Sequence, residues 1–83
     1  SREMIYQNQK LKLTEKEIDS IIYLFSMKKP VNVQELQQKV WGYQSDLETH
    51  TVGTHIYRLR KKILKKFNDT QFIKSTPSGY QIN

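Results

Sequence analysis

The sequence contains no cysteine, so neither a disulfide nor a thiolate metal site can support its fold. Its longest apolar run, residues 21–25, is far shorter than the ~20 apolar residues that a membrane-spanning helix needs. No basic start followed by an apolar stretch marks a secretory signal. An 83-residue chain of this kind is predicted to form one domain with a single small core. The lack of cysteine is compatible with a reducing cytoplasm, the expected location.

Acidic residues are absent from one long segment. Residues 49–66 carry two arginines and four lysines without an Asp or Glu, whereas the rest of the chain has eight basic and eight acidic side chains. The formal net charge of +6 therefore arises in this segment. A segment whose charges are all positive favours an anionic partner, most often nucleic acid. The simplest alternative is that the segment forms a helix face exposed only to solvent. Such faces, however, usually carry charges of both signs, so that ion pairs form between residues i and i+4.

The first third of the chain is predicted to form a β-hairpin followed by a helix. Residues 4–14 contain two strand-like segments around the turn-like QNQK. Thr14 and Glu17 have the spacing of a capping box, which places the helix start there, and Pro30 sets its end. The apolar spacing i, i+3, i+4, i+7 predicts one buried stripe. Its members are Ile18, Ile21, Ile22 and Phe25.

Two further helices are predicted in the middle of the chain. Asn32 can cap the shorter one, which ends at Gly42. The longer one begins near Thr49 and contains the basic segment. Its apolar side chains lie within ~60° of one another on the helical wheel, and they are Val52, Ile56, Leu59 and Ile63. The opposite face carries His50, Thr54, Tyr57, Arg58, Lys61 and Lys65.

The last part of the chain predicts a second hairpin. Residues 72–75 and 80–82 are strand-like, and the turn between them includes Pro77 and Gly79, which can supply a positive φ. A short hairpin, three helices and a final hairpin make a winged helix-turn-helix, an α+β fold. The aromatic side chains expected in its core are Tyr23, Phe25, Trp41, Phe67 and Phe72.

One motif is more specific than the order of elements. Trp41 and Gly42 are followed by T-V-x-x-H-I-x-x-L-R-x-K over residues 51–62, with LTEKE upstream and GY near the end. With these residues the chain resembles, over residues 13–82, the OmpR/PhoB-type effector domain of bacterial two-component response regulators.

The resemblance implies a function and partners. Residues 1–83 would be a single cytoplasmic domain that binds double-stranded DNA for transcription regulation, without a cofactor. The third helix would lie in the major groove and the wing on the DNA backbone. A receiver domain, absent from this chain, would precede it in the full-length protein. One domain contacts few base pairs, so a dimer on repeated half-sites is expected.

The resemblance also implies roles for single residues. Arg58 matches an arginine that reads a base, and Thr54 matches a small side chain that faces one. Phosphate or backbone contacts are implied for others on the helix and the wing. The complete predicted DNA-binding set is Trp41, His50, Thr51, Thr54, His55, Tyr57, Arg58, Arg60, Lys61, Lys62, Lys74 and Ser75. The loop that matches an RNA polymerase contact in activators is Tyr43, Gln44, Ser45, Asp46, Leu47 and Glu48.

Two positions depart from the family pattern. Gly53 stands where an acidic residue is usual, and a glycine inside a helix costs ~1 kcal/mol relative to alanine. Pro77 stands where the wing tip usually carries an arginine. Minor-groove reading relies on a long cationic side chain, so this wing is expected to touch only the backbone, through Lys74, Ser75 and tip amides.

Other functions have less support. His50 and His55 are ~140° apart on a helix and cannot share a metal ion as an i, i+4 pair can. Asp46 and Glu48 are equally explained as acids that favour a helix N-terminus. No Ser–His–Asp pattern, glycine-rich phosphate loop or paired buried carboxylates predict an enzyme. The alternative function is a winged-helix module whose basic face binds an acidic protein.

Overall fold

The computed structural model describes residues 3–6, 9–42 and 49–82. The predicted order of hairpin, three helices and hairpin is confirmed. The N-terminal hairpin pairs β1 with β2, and the C-terminal hairpin pairs β3 with β4, both antiparallel. The elements are β1 (Glu3–Tyr6), β2 (Gln9–Lys12), α1 (Glu15–Met27), α2 (Val33–Leu36), a π-helical turn that continues α2 (Gln37–Trp41), α3 (Thr49–Phe67), β3 (Lys74–Thr76) and β4 (Gly79–Gln81).

The start of α1 is a complete capping box, as predicted. The Thr14 hydroxyl accepts the backbone N–H of Glu17 at 3.2 Å, and the Glu17 carboxylate accepts the backbone N–H of Thr14 at 2.8 Å. These reciprocal bonds satisfy donors that a helix start leaves unpaired. The helix ends at Lys28, which adopts the left-handed conformation with φ 54° and donates its N–H to Leu24 at 3.3 Å.

The predicted apolar stripe of α1 is wrong in part. Ile22 and Phe25 are 61% and 53% exposed, whereas Leu24 is fully buried beside the polar Ser20 and Glu17. The segment contains so many apolar residues that more than one set of them has the spacing of a buried helical stripe. Glu17 bonds to a lysine of α3, and this contact belongs to the register in which Leu24 faces the core. Of the five aromatic side chains expected in the core, Phe25 is therefore the exception.

The second helix begins and ends where the sequence predicts. The Asn32 side chain caps α2 by accepting the N–H of Glu35 at 2.8 Å. The π-helical turn closes at Gly42, whose N–H donates to the carbonyl of Gln37, five residues earlier, at 3.1 Å. Gly42 has φ 95°, a conformation that glycine adopts without strain. The turn therefore stops the helix directly after Trp41.

The hydroxyl of Tyr23 joins α1 to α2 by donating to the carboxylate of Glu35. This hydrogen bond, with smaller contributions from burial and from the carboxylate charge, raises the pKa of Tyr23 to about 12.

The core forms around α3 as its sequence predicts. Val52, Ile56, Leu59 and Ile63 are each at most 2% exposed. They form one cluster with the buried residues outside α3. These are Leu13, Leu24, Val31, Leu36, Val40, Ile73 and Ile82. Among the described residues, no helix is long and apolar enough to cross a membrane.

The wing is tied to the segment between α1 and α2. Val31 and Tyr80 each donate a backbone N–H to the carbonyl of the other, at 2.8 and 2.9 Å. Gly79 has the predicted positive φ, 135°, but it lies in β4 and not in the turn. The bridge to Val31 holds β4 against the helices, so the wing has a fixed place beside α3.

We expect Gly53→Ala to raise the free energy of unfolding by up to ~1 kcal/mol, since alanine favours the helix interior over glycine. An added Cβ would meet only the Tyr80 hydroxyl, at 3.6 Å, which is an ordinary contact. Urea unfolding of both proteins measures the difference. A loss of stability would show that Tyr80 needs the space that glycine leaves.

Candidate nucleic-acid interface

The face of α3 opposite the core is open to solvent. All six side chains predicted to lie there are exposed: His50, Thr54, Tyr57, Arg58, Lys61 and Lys65. The periodicity of the apolar stripe therefore located the opposite face correctly. The Lys61 ammonium lies 5.3 Å from the centre of the Tyr57 ring, a cation–π distance. The Thr54 hydroxyl donates to the His50 carbonyl at 3.0 Å, which leaves its methyl group free for an external contact.

The two arginines of α3 lie on different sides of the helix. Two residues of α-helix separate them by about 160° around the axis. Arg58 is exposed on the open face, whereas Arg60 is half-buried toward the segment that leads into the wing. Of the two arginines, only Arg58 therefore lies on the open face.

The other flank of α3 packs on the end of the second helix. The rings of His55 and Trp41 are 5.4 Å apart between centroids, tilted by 45°. Lys16 of α1 donates to the carbonyl of Val40 at 2.9 Å, which braces the turn that carries the indole. Trp41 is thus a half-buried side chain at the edge of the open face, and His55 supports it.

Lys62 is held by an acidic residue of α1. Its ammonium nitrogen lies 2.8 Å from Glu17 Oε1, and the Glu17 side chain is only 8% exposed. The absence of acidic residues within 49–66 therefore does not leave Lys62 unpaired. The partner lies 45 residues earlier in the chain, and no local pattern connects the two positions.

The charge of Glu17 stabilises the fold at neutral pH. Burial raises its pKa, but the hydrogen bond from Lys62, the Thr14 backbone N–H and the Lys62 charge outweigh burial and hold it below the ordinary value. A carboxyl group with a lowered folded-state pKa contributes stability above its unfolded pKa and loses it as the pH falls through the folded one. The contact between α1 and α3 therefore weakens as the pH falls into the acid range.

The wing presents few charged groups. Lys74 is half-buried at the start of β3, and Ser75 is exposed next to it. At the tip, the Thr76 hydroxyl accepts the N–H of Ser78 at 3.2 Å and donates to the carbonyl of Gly79 at 3.0 Å. The Thr76 side chain is thus used within the turn.

Other predicted site residues are placed less completely. Thr51 is half-buried on α3. The loop 43–48, predicted to contact RNA polymerase, lies outside the described residues. Within the described part of the chain, no group of His, Cys, Asp and Glu could hold a metal ion.

Sequence reasoning missed Glu17 and Lys16 as supports of the site, since both act on residues far away in the chain.

Comparisons with known proteins agree with this geometry. Residues 8–82 match the family model described as "Transcriptional regulatory protein, C terminal". Transcriptional regulatory protein VxrB of Vibrio cholerae is 34% identical over 64 residues, which cover 76% of this chain and 26% of the relative. Heme response regulator HssR of Staphylococcus aureus is 33% identical over 82 residues, 96% of this chain and 36% of the relative. The chain thus spans about a third or less of these relatives.

A solved structure shares the fold over the entire chain. The DNA-binding domain of response regulator AdeR, solved in complex with an intercistronic region, superposes with a TM-score of 0.82 and 25% identity, covering 100% of this chain and 86% of that one. The predicted resemblance and the winged-helix fold class are confirmed, and the family is not an enzyme class. The chain belongs to the OmpR/PhoB-type family of C-terminal DNA-binding domains of transcriptional regulatory proteins.

Proposed function

We propose that this domain binds double-stranded DNA at specific sequences and regulates transcription as the output domain of a two-component response regulator. The observation that carries the proposal is the exposed, acid-free face of α3, opposite a completely buried apolar stripe. A helix with such a face fits the major groove. The AdeR domain, solved with DNA, has the same fold, which supports this use of the helix.

Arg58 and Thr54 are the proposed base-reading residues. Arg58 is exposed on the open face, and an arginine that enters the major groove can bond both O6 and N7 of a guanine. The Thr54 methyl suits the methyl group of a thymine, because the hydroxyl is bonded to its own helix. Tyr57 is exposed on the same face and completes the surface that meets the bases.

The remaining contacts hold the domain in register on the phosphates. On α3 they are His50, Thr51, His55, Arg60 and Lys61, with the Trp41 indole N–H at the edge. On the wing they are Lys74 and Ser75, and the uncharged tip makes backbone contacts only. Lys62 differs from the predicted set, since its ammonium is bonded to Glu17. We assign it to holding α3 in place.

This assignment predicts different results for neighbouring lysines. Lys61→Ala should lower the slope of log affinity against log salt by ~1 on every duplex, because one phosphate contact is lost. Lys62→Ala should leave that slope nearly unchanged and lower the free energy of unfolding by ~1–2 kcal/mol, since the buried Glu17 carboxylate loses a charged donor. Fluorescence anisotropy at several salt concentrations and urea unfolding measure the two effects. An equal fall in slope for both variants would show that Lys62 also contacts DNA phosphates.

The wider assembly follows from the limited size of one domain. Two copies on repeated half-sites would give specific binding, because a single helix reads few base pairs. In the full-length protein a receiver domain would control the pairing of copies in the cytoplasm. The loop 43–48 is the proposed contact with RNA polymerase.

Selection of bound duplexes from a random pool tests the function directly. The proposal expects enrichment of one sequence motif, repeated at a fixed spacing, with its strongest positions opposite α3. If the pool stays random at low salt while the same protein sample binds acidic peptides, the result would support the protein-binding alternative instead.

A further inference from the structure

A groove of about 270 Å³ lies between the C-terminal half of α3 and the segment that leads into the wing. Its apolar walls include Tyr57, Leu64 and Phe72, and its basic residues are Arg60 and Lys61. The buried Ile63 and Ile73 also line it, so the groove reaches the core of the domain. Its size approaches the lower end of the range for small-molecule sites.

Neither the core nor the proposed DNA contacts account for the exposure of Leu64 in this groove. Leu64 is 40% exposed and Tyr57 is 58% exposed. On the helix, Leu64 lies about 120° from Arg58, beyond the edge of the open face that carries Tyr57. Among the five large apolar side chains that the described residues expose, these two line a single groove. Exposed apolar surface that converges in a concave site is typical of ligand binding.

The charge of the groove favours an anion. Arg60 and Lys61 are its basic groups, and Asp69 is the one acidic residue among the described residues that line it. The Asp69 carboxylate accepts the backbone N–H of Gln71 at 2.7 Å, so the loop itself uses one of its oxygens. Arg60 as a residue is half-buried and lines the groove, and a charge-assisted bond to a carboxylate is stronger in a partly buried site than in open solvent.

We propose that this groove binds a small amphipathic anion, an organic carboxylate with an aromatic or aliphatic body. The body lies against Leu64 and Phe72, and the carboxylate bonds Arg60 and Lys61. Such a ligand neutralises Lys61 and covers Tyr57, so a loaded domain binds DNA more weakly. This consequence rests on the proposed function, whereas the ligand site itself does not.

The test uses the isolated domain with 4-phenylbutyrate, and with 4-phenyl-1-butanol as the uncharged match. Backbone amide shifts in ¹H–¹⁵N spectra are followed through a titration. The expected result is saturable shifts confined to residues 57–64 and 69–73. The alcohol should bind about tenfold more weakly, the contribution of one charge-assisted hydrogen bond.

Matched variants separate a built site from general attraction to a basic helix. Arg60→Gln and Leu64→Glu should each weaken binding by about tenfold, whereas Lys65→Gln, which removes the same charge outside the groove, should not. Thermal unfolding checks that each variant folds. If Leu64→Glu fails to fold, Arg60→Gln alone still tests the proposal. Shifts spread over all the lysines of α3, equal binding of the alcohol, or indifference to both groove variants would overturn the proposal.

The effect on DNA is measured separately. Saturating 4-phenylbutyrate, at constant ionic strength, should weaken DNA binding by the unmodified domain. The DNA affinity of Arg60→Gln should not change when the acid is added. Because the shift titration contains no DNA, a domain that binds the acid but never DNA would contradict the proposed function and confirm the groove.

Discussion

Gly79→Ala is expected to lower the free energy of unfolding by about 3 kcal/mol or more, through backbone strain and overpacking together. A Cβ at this position would lie 2.2 Å from the carbonyl oxygen of Val31, 2.5 Å from its carbonyl carbon and 2.8 Å from the nitrogen of Asn32. All three are backbone atoms, which cannot rotate away as a side chain can. The residue also has φ 135°, which alanine rarely adopts.

Gly42→Ala is the matched control for this variant. Gly42 also has a positive φ, 95°, but an added Cβ there would have no neighbour within 4 Å. It should therefore cost only the strain of the backbone conformation, ~1–3 kcal/mol. Urea unfolding of both variants isolates the contribution of the contact with Val31. Hydrogen exchange should quicken at the amides of Val31 and Tyr80 in Gly79→Ala. Equal stability of the two variants would show that the wing can move off Val31 at little cost.

Arg58→Ala is expected to weaken binding to the best DNA site by ~1–3 kcal/mol and to remove the preference at one base pair, because a bidentate contact to guanine is lost. Arg60→Ala is the matched control, since it removes the same charge from a half-buried flank of α3. That variant should weaken all duplexes alike. Anisotropy titrations against the best site and its single-base substitutions measure both patterns. A uniform loss for Arg58→Ala would make it a phosphate contact.

The parts of the fold with local causes could be predicted from the sequence. The capping box at Thr14 and Glu17 needs only four residues, and it forms as expected. The stripe from Val52 to Ile63 has one unambiguous register, and all its members are buried. In α1 several apolar registers compete, so Phe25 was assigned to the core although it is exposed. The choice between those registers depends on α3, which the local sequence does not contain.

The candidate site was predictable to the same extent. The open face of α3 follows from its apolar period, and Arg58 is exposed there. The bond between Lys62 and Glu17 and the contact between Gly79 and Val31 join distant parts of the chain. A sequence pattern cannot reveal such contacts until the elements are packed together. The groove beside Leu64 likewise exists only after the wing segment lies against α3.

The central claim is that the exposed basic face of α3 binds DNA. Its most direct test is fluorescence anisotropy of a labelled DNA duplex titrated with the domain at several salt concentrations, with a labelled acidic peptide titrated in parallel. We expect log affinity for DNA to fall linearly with log salt, with a slope of several units, as counterions are released from the phosphates. Binding of the acidic peptide without salt-dependent binding of DNA would contradict it.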